Sequence, residues 1–164
     1  MQLTESKQRF IQAWGTLGSN WGINRTMAQI HALLLASPEA LSTDDLMEAL
    51  SISRGNASMN IRTLVEWGIV FKEIRAGDRK EYYYADKDID RMARQIARER
   101  KRREIEPVVN LLEELRKDKE VAQDPDFQKT VSDLHGFTSR LTNIADVFLG
   151  SGKNWLTNII KKLT

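Results

Sequence analysis

Apolar residues recur at spacings of three and four along most of this chain, which predicts amphipathic helices as its main elements. Four helices are predicted in the first part of the chain, over residues 4–20, 25–36, 42–50 and 53–67. The third begins with Ser42 and Asp45, which have nearly the spacing of a helix-capping box. Because the third and fourth helices are short and separated by a tight turn, they indicate a helix-turn-helix.

The pattern changes after the fourth helix. Gly68 is predicted to end that helix in a left-handed conformation that glycine adopts easily. Two strand-like runs follow, 69–74 and 81–85, with a polar connection between them that predicts a β-hairpin. Residues 40–41 add a short third strand. A helix-turn-helix followed by a hairpin predicts a winged helix, a module most often used to bind duplex DNA.

The fourth helix has one apolar and one polar face. Its predicted buried stripe is Ala57, Ile61, Leu64 and Val65. The polar face carries side chains that can hydrogen-bond base edges in a major groove, and its first turn favours phosphate. The predicted DNA-binding residues of this helix are Ser53, Arg54, Asn56, Ser58, Met59 and Arg62. The alternative is an amphipathic helix with an ordinary solvated face.

The tip of the predicted hairpin is basic. Gly77 and Asp78 supply the turn, and Arg75, Arg79 and Lys80 stand around it. Such a tip can reach phosphate or a neighbouring minor groove. We therefore add these three cations to the predicted DNA-binding residues.

The net charge of +2 conceals an uneven distribution. Residues 53–103 contain 14 Lys/Arg and 8 Asp/Glu, whereas the remainder is acidic overall. Positive charge therefore concentrates on the predicted DNA-binding module and the helix after it. The most basic run, residues 98–103, is interpreted as a solvated helix face, with contact to flanking DNA phosphate as the alternative.

The second half is predicted to be helical. Residues 86–115 form a long helix that Pro107 kinks or divides, 117–123 form a polar linker, and Asp124 precedes another helix. The apolar seam of that last helix, at alternating spacings of three and four, predicts a dimer interface. Its residues are Leu134, Phe137, Leu141, Ile144 and Phe148. A final amphipathic helix is predicted around residues 154–163.

The expected fold is thus mainly α: a winged helix-turn-helix with a small β-hairpin wing, and a C-terminal helical dimerisation region. Residues 1–88 are assigned to DNA binding and residues 89–164 to dimerisation and effector response. The N-terminal helix is a candidate to join the dimer interface.

Several classes of function are disfavoured by composition. The chain has no cysteine, and its two histidines, His31 and His135, are far apart in sequence. Without a Gly-rich phosphate loop or a metal-ligand spacing, we expect no enzyme, no metal and no cofactor. The absence of a long apolar run and of a signal peptide leads us to expect a cytoplasmic protein that does not enter a membrane.

The chain resembles the MarR-type winged-helix transcription regulators, and most closely their GbsR-like branch. The resemblance covers about residues 8–115 and depends most on the string from Ser53 to Arg62, with Glu66 to Val70 and the wing from Gly77 to Tyr82. It implies a homodimeric regulator, often a repressor, that binds a pseudo-palindromic operator. Some relatives control genes for glycine betaine synthesis or uptake and respond to choline-like ligands.

A small-molecule effector follows from that resemblance and from the tryptophans. Trp14 and Trp21 share one face of the first helix, Trp155 could join them, and indole faces attract quaternary ammonium groups. The alternative is that all three are packing residues. A second class of function, a winged-helix adaptor that binds proteins and not DNA, also remains open; it has no need for a basic wing tip.

Overall fold

The computed structural model describes residues 3–150, which pack as two compact units, one up to Met92 and the other from Ala93 onward. The functional roles assigned to residues 1–88 and 89–164 stay predictions. The elements are α1 (Glu5–Asn20), α2 (Arg25–Ala36), β1 (Leu41–Ser42), α3 (Thr43–Leu50), α4 (Arg54–Glu66), β2 (Val70–Ile74), β3 (Glu81–Ala85), α5 (Ile89–Arg100), α6 (Glu106–Leu115), α7 (Lys119–Ala122) and α8 (Pro125–Gly150).

The three strands form one antiparallel sheet in the order β1-β3-β2. In the hairpin, Val70 pairs with Ala85 and Ile74 with Glu81. Gly68 and Gly77 have φ values of 69° and 81°, so each occupies the left-handed region that favours glycine. The predicted winged helix, including its helix stop and wing turn, is confirmed.

The core of the first unit lies where α2, α3, α4 and the sheet meet. Its fully buried side chains come from α2 (Ile30, Leu33, Leu34), α3 (Leu46) and α4 (Leu64). The predicted capping box is complete: the Ser42 hydroxyl accepts from the Asp45 backbone N–H, and the Asp45 carboxylate accepts from the Ser42 backbone N–H at 2.8 Å.

The sequence spacing also predicts a packed face of α1 with Phe10, Trp14, Leu17 and Trp21, here called the aromatic row. The structure buries a different face. Ile11, Gly15 and Gly18 are buried against α2, whereas Phe10 and Trp21 are 38% and 55% exposed. Because glycine lacks a Cβ, the two helices approach each other closely along this line. The small residues therefore set the packing, and the larger apolar side chains are left partly in solvent.

The second half of the chain is divided into more helical segments than the sequence predicts. A π-helical turn, Lys101–Ile105, separates α5 from α6, and Pro107 lies in the first turn of α6. Proline fits there because it has no N–H to leave unpaired. The region predicted as a polar linker contains the one-turn helix α7, whose Val121 packs with Leu112 and Val131 in a small core of the second unit. That prediction was wrong because a single buried valine is a weak sequence signal.

Candidate nucleic-acid interface

A groove of about 600 Å³ lies between α4, the start of α3 and the wing. Its walls contain more cations than carboxylates. The cations are Arg54, Arg62, Lys72, Arg79 and Lys80, and the carboxylates are Asp44, Glu66 and Glu81. The groove therefore carries a positive charge and joins the two elements that were predicted to contact DNA.

Helix α4 presents most of its predicted polar face to solvent. Ala57, Ile61 and Leu64 are buried as expected, but Val65 is 39% exposed and lines the groove, so its assignment to the core was wrong. It lies at the edge of the apolar stripe, where α4 faces the groove. Ser53, Arg54, Ser58, Met59 and Arg62 are all exposed.

The first turn of α4 is fixed by its own side chains. The Ser53 hydroxyl accepts a hydrogen bond from the Asn56 backbone N–H at 3.3 Å, as an N-cap does. Asn56 is half-buried, and its Oδ1 accepts from Nδ2 of Asn60 at 2.6 Å. Asn60 is 4% exposed and also donates to the Asn56 carbonyl. It positions Asn56, a role that the sequence pattern did not indicate.

Arg75 directly follows β2, at the start of the wing turn, and its guanidinium already has partners. Its Nε is 2.7 Å from Oε1 of Glu73, and its guanidinium carbon lies 3.9 Å from the centre of the Tyr82 ring. The Tyr82 hydroxyl in turn donates to Asp78 at 2.7 Å. This bond and the Lys80 backbone N–H hold the pKa of Asp78 below its usual value. Arg75 thus holds the two strands of the hairpin together, and its guanidinium lies against the hairpin surface.

The two cations at the wing tip differ. Lys80 forms an ion pair with Asp44 of α3 at 3.3 Å, whereas the guanidinium of Arg79 has no ion-pair partner among residues 3–150. Asp44 also pairs with Arg54, at 2.5 Å. Asp44 was not singled out from the sequence, since nothing in its local pattern indicates contacts ten and 36 residues away.

The basic run at residues 98–103 is largely neutralised by neighbouring carboxylates. Arg100 pairs with Glu104, Arg102 and Arg103 pair with Glu99, and Lys101 pairs with Asp146. These pairs favour the interpretation as an ordinary helix face over contact with DNA phosphate.

The predicted dimer seam lies along α8. Leu134, Phe137, Leu141 and Ile144 are 49%, 51%, 39% and 67% exposed. The Phe148 side chain lies outside the described residues. Helix α8 contacts α6 and α7 in the second unit, and this row lies largely uncovered there.

The structure does not bring Trp14 and Trp21, two of the predicted effector residues, into one groove. Trp14 lines an apolar groove of about 580 Å³ together with Phe10, Lys7 and Lys87. Trp21, about 10 Å further along the axis of α1, does not line that groove. Trp155 lies outside the described residues.

Cations flank the Trp14 groove. The Lys87 ammonium donates to the carbonyl oxygens of Leu34, Leu35 and Ser37 at 2.6–2.9 Å, which closes the C-terminal end of α2. Burial and, to a smaller extent, the charge of Lys7 lower the pKa of Lys87. A positively charged wall disfavours a quaternary ammonium ligand.

Comparison with known proteins bears on this fold directly. Residues 21–81 match the profile of the MarR family. The matched segment extends from the end of α1 into β3, and it contains every predicted DNA-binding residue of α4 and the wing. This match agrees with the MarR-type resemblance of the sequence and does not distinguish a branch of that family.

Two relatives extend the comparison. The HTH-type transcriptional regulator MmpR5 of Mycobacterium tuberculosis is 39% identical over 75 residues, which are 45% of this chain and 46% of that protein. The chain thus matches about half the length of that relative. A crystal structure described as a transcriptional regulator aligns over 88% of this chain and 96% of its own, with a TM-score of 0.68 and 21% identity. That likeness shows the fold.

A structure of a MepR mutant from S. aureus bound to an oligodeoxyribonucleotide also aligns, with 15% identity and a TM-score of 0.42, which is too low to support an argument about this chain. MmpR5 is described as a transcriptional regulator, in agreement with the expectation that this chain is not an enzyme. None is described as GbsR-like. No helix within residues 3–150 is long and apolar enough to cross a membrane.

Proposed function

We propose that this protein is a transcription regulator that binds duplex DNA, with α4 in the major groove and the wing against the phosphate backbone. The observation that carries the proposal is the positive groove between α4 and the wing. Its α4 wall exposes Ser58 and Arg62, and its wing wall exposes Arg79. A surface for protein partners has no need for cations on both elements. A helix and a wing placed side by side suit a duplex, since they can engage a groove and its flanking backbone together.

Direct binding measurements test this proposal. Sequences selected by the protein from random duplex DNA are compared with a scrambled duplex at several salt concentrations. Because Arg62 projects from the middle of α4, Arg62→Ala should lose about 1–3 kcal/mol of binding free energy on the selected sequence and little on the scrambled one. An equal loss on both would make Arg62 a phosphate contact. Failure to bind any duplex at low salt would instead favour the adaptor function.

The finer features of the function are proposals too. We infer a homodimer that binds a pseudo-palindromic operator, because a two-fold pair of winged helices can contact half-sites about 34–36 Å apart. The exposed α8 row supports self-association, and the partly exposed aromatic row of α1 offers a second apolar surface. Repression and membership of the GbsR-like branch are inferred from the sequence resemblance; the genes beside this one in its genome would test both.

A small-molecule effector is proposed for the Trp14 groove. Its apolar wall suits an aromatic or aliphatic ligand, and Lys7 and Lys87 favour a ligand that carries a negative charge. This departs from the choline-like ligand expected from the resemblance, because described residues lining the groove include no carboxylate. An effector changes DNA binding only if it binds one conformation better than another.

A further inference from the structure

The carboxylate of Asp44 lies between the two elements proposed to contact DNA. Its Oδ1 is 2.5 Å from Nη2 of Arg54, at the start of α4, and its Oδ2 is 3.3 Å from Nζ of Lys80, at the wing tip. One oxygen therefore pairs with a cation of α4 and the other with a cation of the wing. The three side chains are 46%, 66% and 57% exposed, so the cluster is accessible from the groove.

Asp44 is not needed to begin α3. The capping box of that helix is made by Ser42 and Asp45, one residue further on. Exposed ion pairs such as those of Asp44 contribute little to stability, because both partners are well solvated when apart. Asp44 should therefore affect the binding of ligands by Arg54 and Lys80 more than it affects the stability of the domain.

A carboxylate held by two cations resembles a phosphate of the DNA backbone in charge and in its pair of acceptor oxygens. Arg54 and Lys80 cannot direct the same donors to Asp44 and to a phosphate at the same time. A phosphate that enters the groove must also approach the negative charge of Asp44. When DNA binds, Arg54 and Lys80 must therefore exchange the Asp44 carboxylate for a phosphate.

We propose that Asp44 is an internal competitor for the DNA backbone, which occupies Arg54 and Lys80 in the free protein and weakens binding that depends on phosphate alone. This inference rests on the proposed DNA-binding function. It also accounts for a difference between the wing cations: Arg79 is available to phosphate at once, and Lys80 becomes available only when Asp44 releases it.

Counterion release provides the measurement. A cation that stays partly neutralised by Asp44 neutralises less phosphate charge and so releases fewer of the counterions condensed on the DNA. The salt dependence of DNA binding should therefore be shallower than the number of basic side chains implies. In Asp44→Asn, binding to a random-sequence duplex should become roughly threefold to tenfold tighter, and the slope of log K against log salt steeper by about one to two. The double variant Asp44→Asn, Lys80→Met should have a slope about one unit shallower than that of Asp44→Asn, because one phosphate-contacting cation is removed.

The matched control is Asp90→Asn, which makes the same change in net charge in the first turn of another helix, α5, at an exposed residue that does not line the groove. Thermal unfolding of each variant checks that the fold is intact. Equal slopes for Asp44→Asn and Asp90→Asn, with the wild-type protein binding DNA normally, would overturn the role of Asp44 alone. If neither the wild type nor either variant binds duplex DNA at low salt, the proposed function fails together with this inference.

Discussion

Gly18 of α1 and Ala28 of α2 are so close that a Cβ added to the glycine would lie 2.6 Å from the Cβ of the alanine. Alanine is ordinarily the better residue in a helix, by about 1 kcal/mol. At this position the overlap must be relieved by moving one helix, which typically costs about 1–3 kcal/mol. Gly18→Ala should therefore reduce the free energy of unfolding in urea.

Gly55 is the matched control for that substitution. It lies in α4, where an added Cβ would meet nothing within 4 Å. Gly55→Ala should stabilise the domain by about 0.5–1 kcal/mol, because only the helix propensity changes. If the two alanine variants shift stability in the same direction, close packing does not explain the glycine in α1.

His31 should make the free energy of unfolding depend on pH. It is 3% exposed, its Nε2 has no hydrogen-bond partner among residues 3–150, and burial, with the charge of Lys87, lowers its pKa from 6.5 to about 4. The unfolded chain therefore binds a proton between pH 6.5 and 4 that the folded protein excludes. Stability should fall through this window as pH falls, by about 3 kcal/mol in total.

His31→Leu isolates this contribution, because leucine fills the buried site and does not titrate. Denaturation curves at intervals from pH 7 to 4.5 should show a clear loss for the wild type and a flatter profile for the variant. Carboxylates with lowered pKa values, such as Asp44 and Asp86, lose their contribution mainly at lower pH. Identical profiles for both proteins would show that another group is responsible.

The sequence predicts the winged helix well because its signals are local. The capping box at Ser42, the left-handed Gly68 and the two strand-like runs of the hairpin each involve residues a few positions apart. The apolar periodicity of α4 identifies most of its buried face for the same reason. Val65 is the exception, since its exposure depends on which elements pack beside α4.

The parts that could not be predicted depend on contacts between distant residues. Asp44 meets Lys80, and Lys87 closes α2, across separations that no periodicity encodes. In α1 the spacing of the aromatic residues suggests a packed face, but the close approach of α2 at Gly18 selects another one. Ion pairing also decides which basic residues are available to DNA, and the sequence does not show it: the guanidinium of Arg75 is paired with Glu73.

Arg79 and Arg75 should contribute differently to DNA binding. Arg79→Gln should flatten the slope of log K against log salt by about one, because it removes a cation without an ion-pair partner in the described chain. Arg75→Gln, with the same change in net charge, should leave the slope nearly unchanged, since that guanidinium is paired with Glu73 and lies over Tyr82. Titrations at four or more salt concentrations measure both slopes. An unchanged slope for Arg79→Gln would show that the wing tip does not contact DNA.

The Trp14 groove should prefer an anion to a cation. We expect benzoate at millimolar concentration to change tryptophan fluorescence and DNA binding, and choline to change neither, because Lys7 and Lys87 attract a carboxylate and repel an ammonium group. Trp14→Phe should remove most of the fluorescence response while keeping an aromatic side chain in place. A response to choline that Trp14→Phe abolishes would restore the choline-like effector. No response to either ligand would leave Trp14 as a packing residue.

The apolar row of α8 should hold the dimer together. Leu141 lies in the middle of that row and is 39% exposed in the single chain. Leu141→Lys places a charge where a second copy would exclude water, and an unpaired charge in such an interface is strongly unfavourable. Sedimentation at micromolar concentration should therefore show a dimer for the wild type and a monomer for the variant.

Gln128→Lys is the control for this last experiment, because it adds the same charge to α8 at an exposed position outside the apolar row. It should leave the dimer intact. Monomeric Leu141→Lys should also bind a two-half-site operator weakly, since each winged helix then binds its half-site without the effective concentration that a linked partner provides. Both variants should keep the melting temperature of the first unit. A wild-type protein that is monomeric at micromolar concentration would contradict the two-fold operator.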